Sequence, residues 1–368
     1  MDSPTGGFPL SFHLNTEKTM RGGEVQCLGL LRFLAARGRD CVLAAPRGFP
    51  LARKAAEKSL EVFNWNPRGE WDLWSAFSLR RRISRNRPVI LHAHTAHALT
   101  HAIIAARGRK LTKVVATRRV SFPLRSSLSR LKYNSADAVV AVSGKISLQL
   151  RDSGLPEEKV SVIHSGVDLE RFLNIPSREE ARKALAVGED SIVIGSAGAL
   201  VAHKGHAVML EALGRLSPPA GKQFEVLIAG CGELAGEIKA KAQERGLNLR
   251  LLDFVEDVRP FYAALDLFVL PSLSGEGSPG VLKEAAASGI PIVASDVGGS
   301  AEILRHEREA LLVEAGRADA LAKAISGLLE EKKFAEGLAR KAKKRVEEFT
   351  MEKMASAYES LYKELFSV

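Results

Sequence analysis

Twice along this chain, short apolar runs alternate with longer segments of helical period, and the alternation restarts near the middle. In the first half the runs are Phe8–Leu14, Cys41–Ala45, Glu61–Trp65, Val89–His92, Lys113–Thr117, Ala138–Val142 and Val160–Ile163. Helix-period stretches such as Glu24–Ala36 and Trp71–Ile83 lie between them. After Gly166-Val167-Asp168 and a polar helical segment come Ile192–Ser196, Phe224–Ala229, Leu249–Phe254, Leu267–Leu270, Pro291–Ala294 and Ala310–Val313. Short β-rich runs separated by helices require βαβ units and therefore a parallel sheet. One sheet of about thirteen strands would be unusual. The economical reading is two Rossmann-like, doubly wound α/β domains, residues 1–165 and 166–349, facing a cleft, with a hinge near His164–Asp168. Met351, Met354, Tyr358, Leu361 and Leu365 recur at helical spacing, so residues 350–368 predict a helix that packs back on the first domain.

Composition narrows the class. At 46% hydrophobic and 26% charged residues the 368-residue chain is globular, not disordered. No apolar run approaches the ~20 residues that span a bilayer. Met1–Leu14 has neither a basic n-region nor a long apolar stretch, so a secretory leader is not expected. Cys27, Cys41 and Cys231 are too scattered for a metal site and read as reduced, buried thiols of a cytoplasmic protein. The net charge of +10 is uneven: residues 1–165 carry +15 and the remainder −5. A basic first half suits an anionic partner, such as a phosphorylated or lipid-linked acceptor, an acidic membrane surface or nucleic acid. Solubilising surface charge is the plainer explanation.

The most informative segment is Leu270-Pro-Ser-Leu-Ser-Gly-Glu276-Gly-Ser-Pro-Gly-Val-Leu-Lys-Glu284. An apolar strand ends at Leu270, a Gly/Ser/Pro loop follows, and a helix is expected to begin around Ser278–Pro279, residues favoured at a helix cap and first position. Free N–H groups at such a start bind anions. Glu276 precedes the helix and Glu284 sits two turns along it, so the carboxylates can meet opposite ends of one ligand. This run, with Asp266-Leu-Phe-Val-Leu-Pro-Ser before it and Ala285-Ala-Ala-Ser-Gly-Ile-Pro-Ile-Val-Ala-Ser-Asp-Val-Gly-Gly299 after it, resembles the Glu-x7-Glu motif of family 4 glycosyltransferases, the retaining, group 1 enzymes of GT-B architecture. The similarity extends over essentially the whole chain and is densest from Ile194 to Val313.

The resemblance implies a metal-independent transferase that takes a nucleotide-sugar as substrate and needs no cofactor. Glu276 would contact hydroxyls of the transferred sugar, Glu284 the ribose, and the backbone of Gly277, Ser278, Pro279, Gly280 and Val281 the sugar and diphosphate. Gly195-Ser-Ala-Gly-Ala-Leu-Val-Ala-His-Lys-Gly-His206 is similar to the strand–loop–helix whose cations neutralise the diphosphate; Lys204 matches the family's lysine. Ala199 stands where an arginine is usual, leaving His203 or the Gly22-Gly23 amides as substitutes. In the family the Gly22-Gly23 loop faces the donor phosphates.

His92, His94, His97 and His101 raise the possibility of a metal, but no carboxylate or cysteine lies near them in sequence and the family carries no catalytic metal. His94, with Arg118 and Arg119 after the next strand, is an acceptor-side candidate. Arg118–Lys132 interleaves Arg125, Arg130 and Lys132 with Phe122, Leu124, Leu128 and Leu131, as a basic amphipathic helix on an acidic membrane would, or as a surface helix burying its leucines. The expected reaction is transfer to a cell-surface glycan or lipid-linked acceptor, such as a lipopolysaccharide precursor. A nucleotide-sugar epimerase is the enzyme alternative. A dehydrogenase lacks its Gly-x-Gly-x-x-Gly, and a nucleic-acid binder lacks aromatic platforms and any reading motif.

Overall fold

The computed structural model describes residues 8–124, 126–188, 190–253 and 255–367. The chain forms two compact units, Met1–Gly166 with Met351–Val368, and Val167–Thr350.

The first unit contains a seven-stranded, wholly parallel sheet: β1 Leu10–Leu14, β2 Cys41–Ala45, β3 Glu61–Asn64, β4 Val89–Ala93, β5 Thr112–Arg118, β6 Ala138–Ala141 and β7 Val160–Val162. The strand order is β3-β2-β1-β4-β5-β6-β7. Its crossovers are α1 Gly22–Ala36, α2 Pro50–Glu57, α3 Leu73–Arg82, α4 Ala96–Ala106, α5 Ser127–Asn134 and α6 Gly144–Asp152. Both faces are covered, which is why the strands read as continuous apolar runs. One face holds Phe12, Leu91 and Val139 with α3, α4 and α6; the other holds Leu43, Ile90 and Val140 with α1 and α2.

The second unit repeats the plan with six parallel strands: β8 Ile192–Ala197, β9 Phe224–Ala229, β10 Asn248–Leu252, β11 Leu267–Leu270, β12 Ile292–Ser295 and β13 Leu311–Val313. They are ordered β10-β9-β8-β11-β12-β13. Around them lie α7 Arg178–Ala184, α8 His206–Leu213, α9 Ala235–Glu244, α10 Arg259–Ala264, α11 Gly280–Ser288, α12 Ser300–Ile303, α13 Ala318–Glu330 and α14 Lys332–Arg345. Helices α8 and α13 cover one face and α10 and α11 the other.

The last helix, α15 Met351–Glu364, belongs to the first unit. It lies along α1, where Gly29 lets the two helices close: a Cβ there would sit 2.4 Å from Met351 Sδ. Buried Tyr358 and Tyr362 join the core beside β4 and β5, and buried Glu359 receives Arg37 and Arg39 at 3.1 and 2.7 Å.

Several expectations need correction. Cys231 is exposed, because it lies in the loop beyond β9 and not in the core. Gly22 and Gly23 are the first residues of α1 instead of a loop before it; the Arg21 amide is satisfied by the Glu24 carboxylate at 3.1 Å, which moves the helix start upstream. Helix α11 begins at Gly280, not at Ser278–Pro279. The cap position is Pro279, which has no side-chain acceptor, and the Ser278 hydroxyl before it accepts from Lys283 Nζ at 2.7 Å. Residues 118–132 are not one helix: Arg118 ends β5, an irregular stretch with Pro123 follows, and α5 starts only after Ser126, which accepts from the Ser129 amide. Nor do its leucines all turn inward, since Leu128 and Leu131 are exposed. Arg125 lies outside the described residues.

Gly29→Val should destabilise the first unit by about 1–3 kcal/mol through overpacking against α15. Met351→Ala in the same chain should recover part of the loss. Denaturant midpoints of the single and double variants check both.

Candidate functional site

In both sheets the strand order reverses next to the first strand of the unit, at β1/β4 and at β8/β11. Neighbouring crossovers there leave toward opposite faces, so the carboxyl ends of the two strands open onto a crevice, the usual ligand position in such sheets.

At β8/β11 that crevice is built by loops that could not accept larger residues. Lys204 ends a single 3-10 turn, Ala202–Lys204, and Gly205 follows with φ +67°. A Cβ on Gly205 would meet the Pro271 carbonyl oxygen at 2.0 Å, and the Leu273 amide donates to the His203 carbonyl at 2.8 Å. The loop after β8 is thereby locked to the exit of β11. From the other side Gly298, φ +56°, comes so close to Glu276 that a Cβ would lie 1.6 Å from its carbonyl oxygen; the same oxygen accepts from the Gly299 amide at 3.0 Å.

Inside this frame Lys204 Nζ and Glu276 Oε1 form a 2.6 Å ion pair, and the Ser272 hydroxyl donates to the same oxygen at 2.5 Å. Glu276 is buried and Lys204 half-buried. Glu284 is half-buried on α11 and accepts from the Tyr262 hydroxyl at 2.9 Å. Desolvation raises the Glu284 carboxyl above the ordinary glutamate value, with the Tyr262 hydrogen bond opposing it. Buried Lys283 reaches Ser278 and so fixes the backbone between Glu276 and α11; its ammonium also lies 5.7 Å from the Phe349 ring. The His203 side chain is exposed. Helix α11 presents its first-turn N–H groups beside Gly277–Pro279. Taken together, these parts amount to a lysine, an anion-binding helix start and two carboxylates about two turns apart.

The β1/β4 crevice holds a closed polar network. His13 on β1 pairs in register with His92 on β4, and His94 lies just beyond. Every ring nitrogen of the three is engaged. His13 faces His94 at 3.1 Å and Ser11 at 3.2 Å, His92 faces Tyr362 and Thr117 at 2.6 Å each, and the other His94 nitrogen faces Arg119 at 3.4 Å. The three rings are close enough to share a metal ion. Their lone pairs and protons already serve one another, however, and the Arg119 cation opposes a second positive charge. Arg119 also crosses Gly23, where a Cβ would meet its Cδ at 3.3 Å. Gly23, His94 and Arg119 therefore come together. Arg118 turns away to Tyr133 and the Phe122 carbonyl. Exposed His97 and buried His101, on α4, stand apart; His101 packs edge-on against Trp65 at 5.2 Å.

His13, Ser272, Tyr262, Lys283 and Gly298 were not marked by sequence. His13 could have been found from alternation along β1, two residues after Ser11. The others are fixed only by tertiary contacts.

Comparison with known proteins gives a consistent answer. Residues 177–345 match the family described as "Glycosyl transferases group 1", and residues 20–171 match "Glycosyltransferase Family 4". The lipopolysaccharide core biosynthesis mannosyltransferase LpsB of Rhizobium meliloti is 30% identical over 247 residues, 63% of this chain and 68% of its own. The putative glycosyltransferase EpsF of Bacillus subtilis is 35% identical over 147 residues, 39% of this chain; the chain spans only 38% of the length of EpsF. Among solved structures, a glycosyltransferase from Rickettsia africae superposes with a TM-score of 0.87 at 19% identity, over 98% of this chain and 99% of that one. Anabaena HepE in complex with UDP-glucose gives 0.84 at 21% identity over 95% and 98%. These two share the GT-B fold of two Rossmann-like units.

Burial lowers the His13 pKa to about 3 and holds His92 and His94 well below the usual histidine value, desolvation being the largest cause in each. Below pH ~6.5 the unfolded chain takes up protons that the folded network refuses, so stability must fall as pH drops. By pH 5 His13 alone should cost about 2 kcal/mol. Thermal midpoints from pH 7.5 to 5 check this, and a flat profile would contradict the buried network.

Proposed function

Since the chain belongs to the group 1, family 4 glycosyltransferases, we propose that it transfers a sugar from a nucleotide-sugar to a cell-surface glycan or lipid-linked acceptor. The observation that carries this reading is the Lys204–Glu276 pair at the β8/β11 crevice, beside the start of α11 and with Glu284 two turns further on. Carboxylates accept from vicinal hydroxyls, and an ammonium with helix-start amides holds phosphate oxygens. Glu284 takes the ribose, Glu276 the sugar, and Lys204 with the Gly280–Leu282 amides the diphosphate.

The reaction retains anomeric configuration. As the bond from the anomeric carbon to the phosphate oxygen breaks, the acceptor hydroxyl bonds to that carbon from the same face. Its proton passes to the departing phosphate oxygen. Lys204 moves from Glu276 toward the developing negative charge, a contact of the kind worth roughly 10²–10³ in rate. Buried Glu276, still held by Ser272 after Lys204 has left it, then serves as an acceptor for sugar hydroxyls, not as a nucleophile. Beside His94, Arg119 supplies the cation for an anionic acceptor group. The name of the LpsB relative supports a lipopolysaccharide-type acceptor.

Donor binding should stabilise the folded chain, so thermal shift against a panel of nucleotide-sugars, UDP-glucose included, identifies the donor. With that donor, affinity in the parent should weaken as pH falls from 7.5 toward 5, because the raised Glu284 carboxyl protonates above the ordinary glutamate range. Glu284→Gln should bind more weakly at pH 7.5 and lose that dependence, measured by calorimetric titration. Equal affinity and an equal pH profile in a folded variant would remove Glu284 from the site.

A further inference from the structure

We propose that the α3–α5 face of the first unit is a docking surface for an anionic lipid bilayer. The starting observation is the placement of exposed apolar side chains. Of the fifteen large hydrophobic residues exposed among the described residues, nine fall between Trp71 and Leu131. Six of the nine lie on α3 or just before it and on α5. On α3, Trp74 and Phe77 share a face with Arg81 at helical spacing, while Ala76 and Leu79 on the opposite side are buried. Trp74 is 87% exposed and Trp71, just before the helix, 64%. On α5, Leu128 and Leu131 stand out one turn apart.

One ion pair ties the two groups together. Glu70, next to Trp71, receives Lys132, next to Leu131, at 2.5 Å, and the α4 residue Thr100 donates to the same carboxylate oxygen at 2.7 Å. The segments that carry the tryptophans and the leucines are therefore joined across the middle of α4. An exposed apolar patch of this kind marks an interaction surface.

Charge selects the occupant. Residues 66–134 contain fifteen Lys and Arg and only two acidic residues, Glu70 and Asp72. Arg81 on α3 and Arg130 on α5 are exposed on the same helices as these side chains, and Arg85 and Lys110 are exposed beyond the end of α3. Tryptophan, leucine and a rim of basic residues is the combination that seats at the headgroup level of a negatively charged membrane. A second copy would set one strongly basic face against another and be repelled. A sugar platform needs hydrogen-bond acceptors beside the rings. Here both carboxylates are committed, Glu70 as above and Asp72 to Ser75 and the Arg68 amide. No helix among the described residues is long and apolar enough to cross a membrane, so the contact is peripheral. This inference does not depend on the sugar-transfer reading.

The test uses the full chain and two vesicle types, phosphatidylcholine alone and phosphatidylcholine with about 30% phosphatidylglycerol. Co-sedimentation should show binding to the anionic vesicles only, weakening several-fold as salt rises and the Debye length falls from about 8 Å toward about 3 Å. Trp65 is buried and Trp71 and Trp74 are not, so brominated lipid should quench much of the tryptophan emission. Trp74→Ser with Phe77→Ser should lower the partition coefficient at least about tenfold, and Leu128→Ser with Leu131→Ser should lower it independently. Circular dichroism shows that the variants fold. Absence of binding at low salt, or full binding by both double variants, would overturn the proposal. So would self-association abolished by Trp74→Ser, or an emission shift with oligosaccharide but not with vesicles. Those outcomes would give the patch to a second copy or to a glycan.

Discussion

A parallel strand hands its chain to a loop at the carboxyl end only, and at β8 and β11 the two following helices, α8 and α11, cover opposite faces of the sheet. The space between their starts is left uncovered by the fold itself. In this chain it is occupied by a buried carboxylate and a half-buried lysine 2.6 Å apart. Such a pair is a weak source of stability, since desolvation offsets much of its attraction. It does set the charge of the crevice. The negative Glu276 is neutralised by Lys204 until something else takes the ammonium, and the start of α11 adds positive potential beside it. The glycines follow from this need. Gly205 and Gly298 bring two backbones into contact with the Pro271 and Glu276 carbonyls, which no side chain at either position would allow.

The first unit solves the corresponding problem with neutral groups. Its reversal point at β1/β4 is filled by His13, His92 and His94, linked through Thr117 and Tyr362 to the C-terminal helix α15. Burial keeps the imidazoles uncharged, so the network stays compatible with the apolar cores on either side. Arg119 places a cation at the rim, against Gly23 and His94. The two units thus present different chemistry at equivalent positions of the same fold, a charged pair in one and an uncharged ring cluster with a flanking guanidinium in the other.

Much of this was legible in the sequence because parallel strands covered on both faces must be apolar throughout. Cys41–Ala45, Phe224–Ala229 and Leu267–Leu270 have the same bounds in sequence and structure. Loop composition and spacing singled out Glu276 and Glu284, and the family resemblance singled out Lys204; the fold brings Lys204 and Glu276 to 2.6 Å of each other. What escaped was everything set by contacts distant in sequence. Tyr262 meets Glu284 from another helix, His13 meets His92 only through sheet register, and Gly298 matters only because Glu276 lies against it. Helix α11 starts at Gly280, one or two residues beyond the expected Ser278–Pro279, and the Ser278 side chain meets Lys283 instead of the helix start. Residues 118–132 misled because their basic and apolar spacing fits a helix, while Pro123 and the end of β5 interrupt it.

The central claim is that the β8/β11 crevice binds the diphosphate through Lys204 and the start of α11. Amide hydrogen exchange with and without the nucleoside diphosphate of the donor, uridine and guanosine diphosphate being tried in turn, tests it most directly. Bound nucleotide should protect the segments around 202–206 and 276–284 and leave β1, β4 and the residues after them unchanged. Protection confined to the first unit, or absent from both named segments while the nucleotide is bound, would contradict the account.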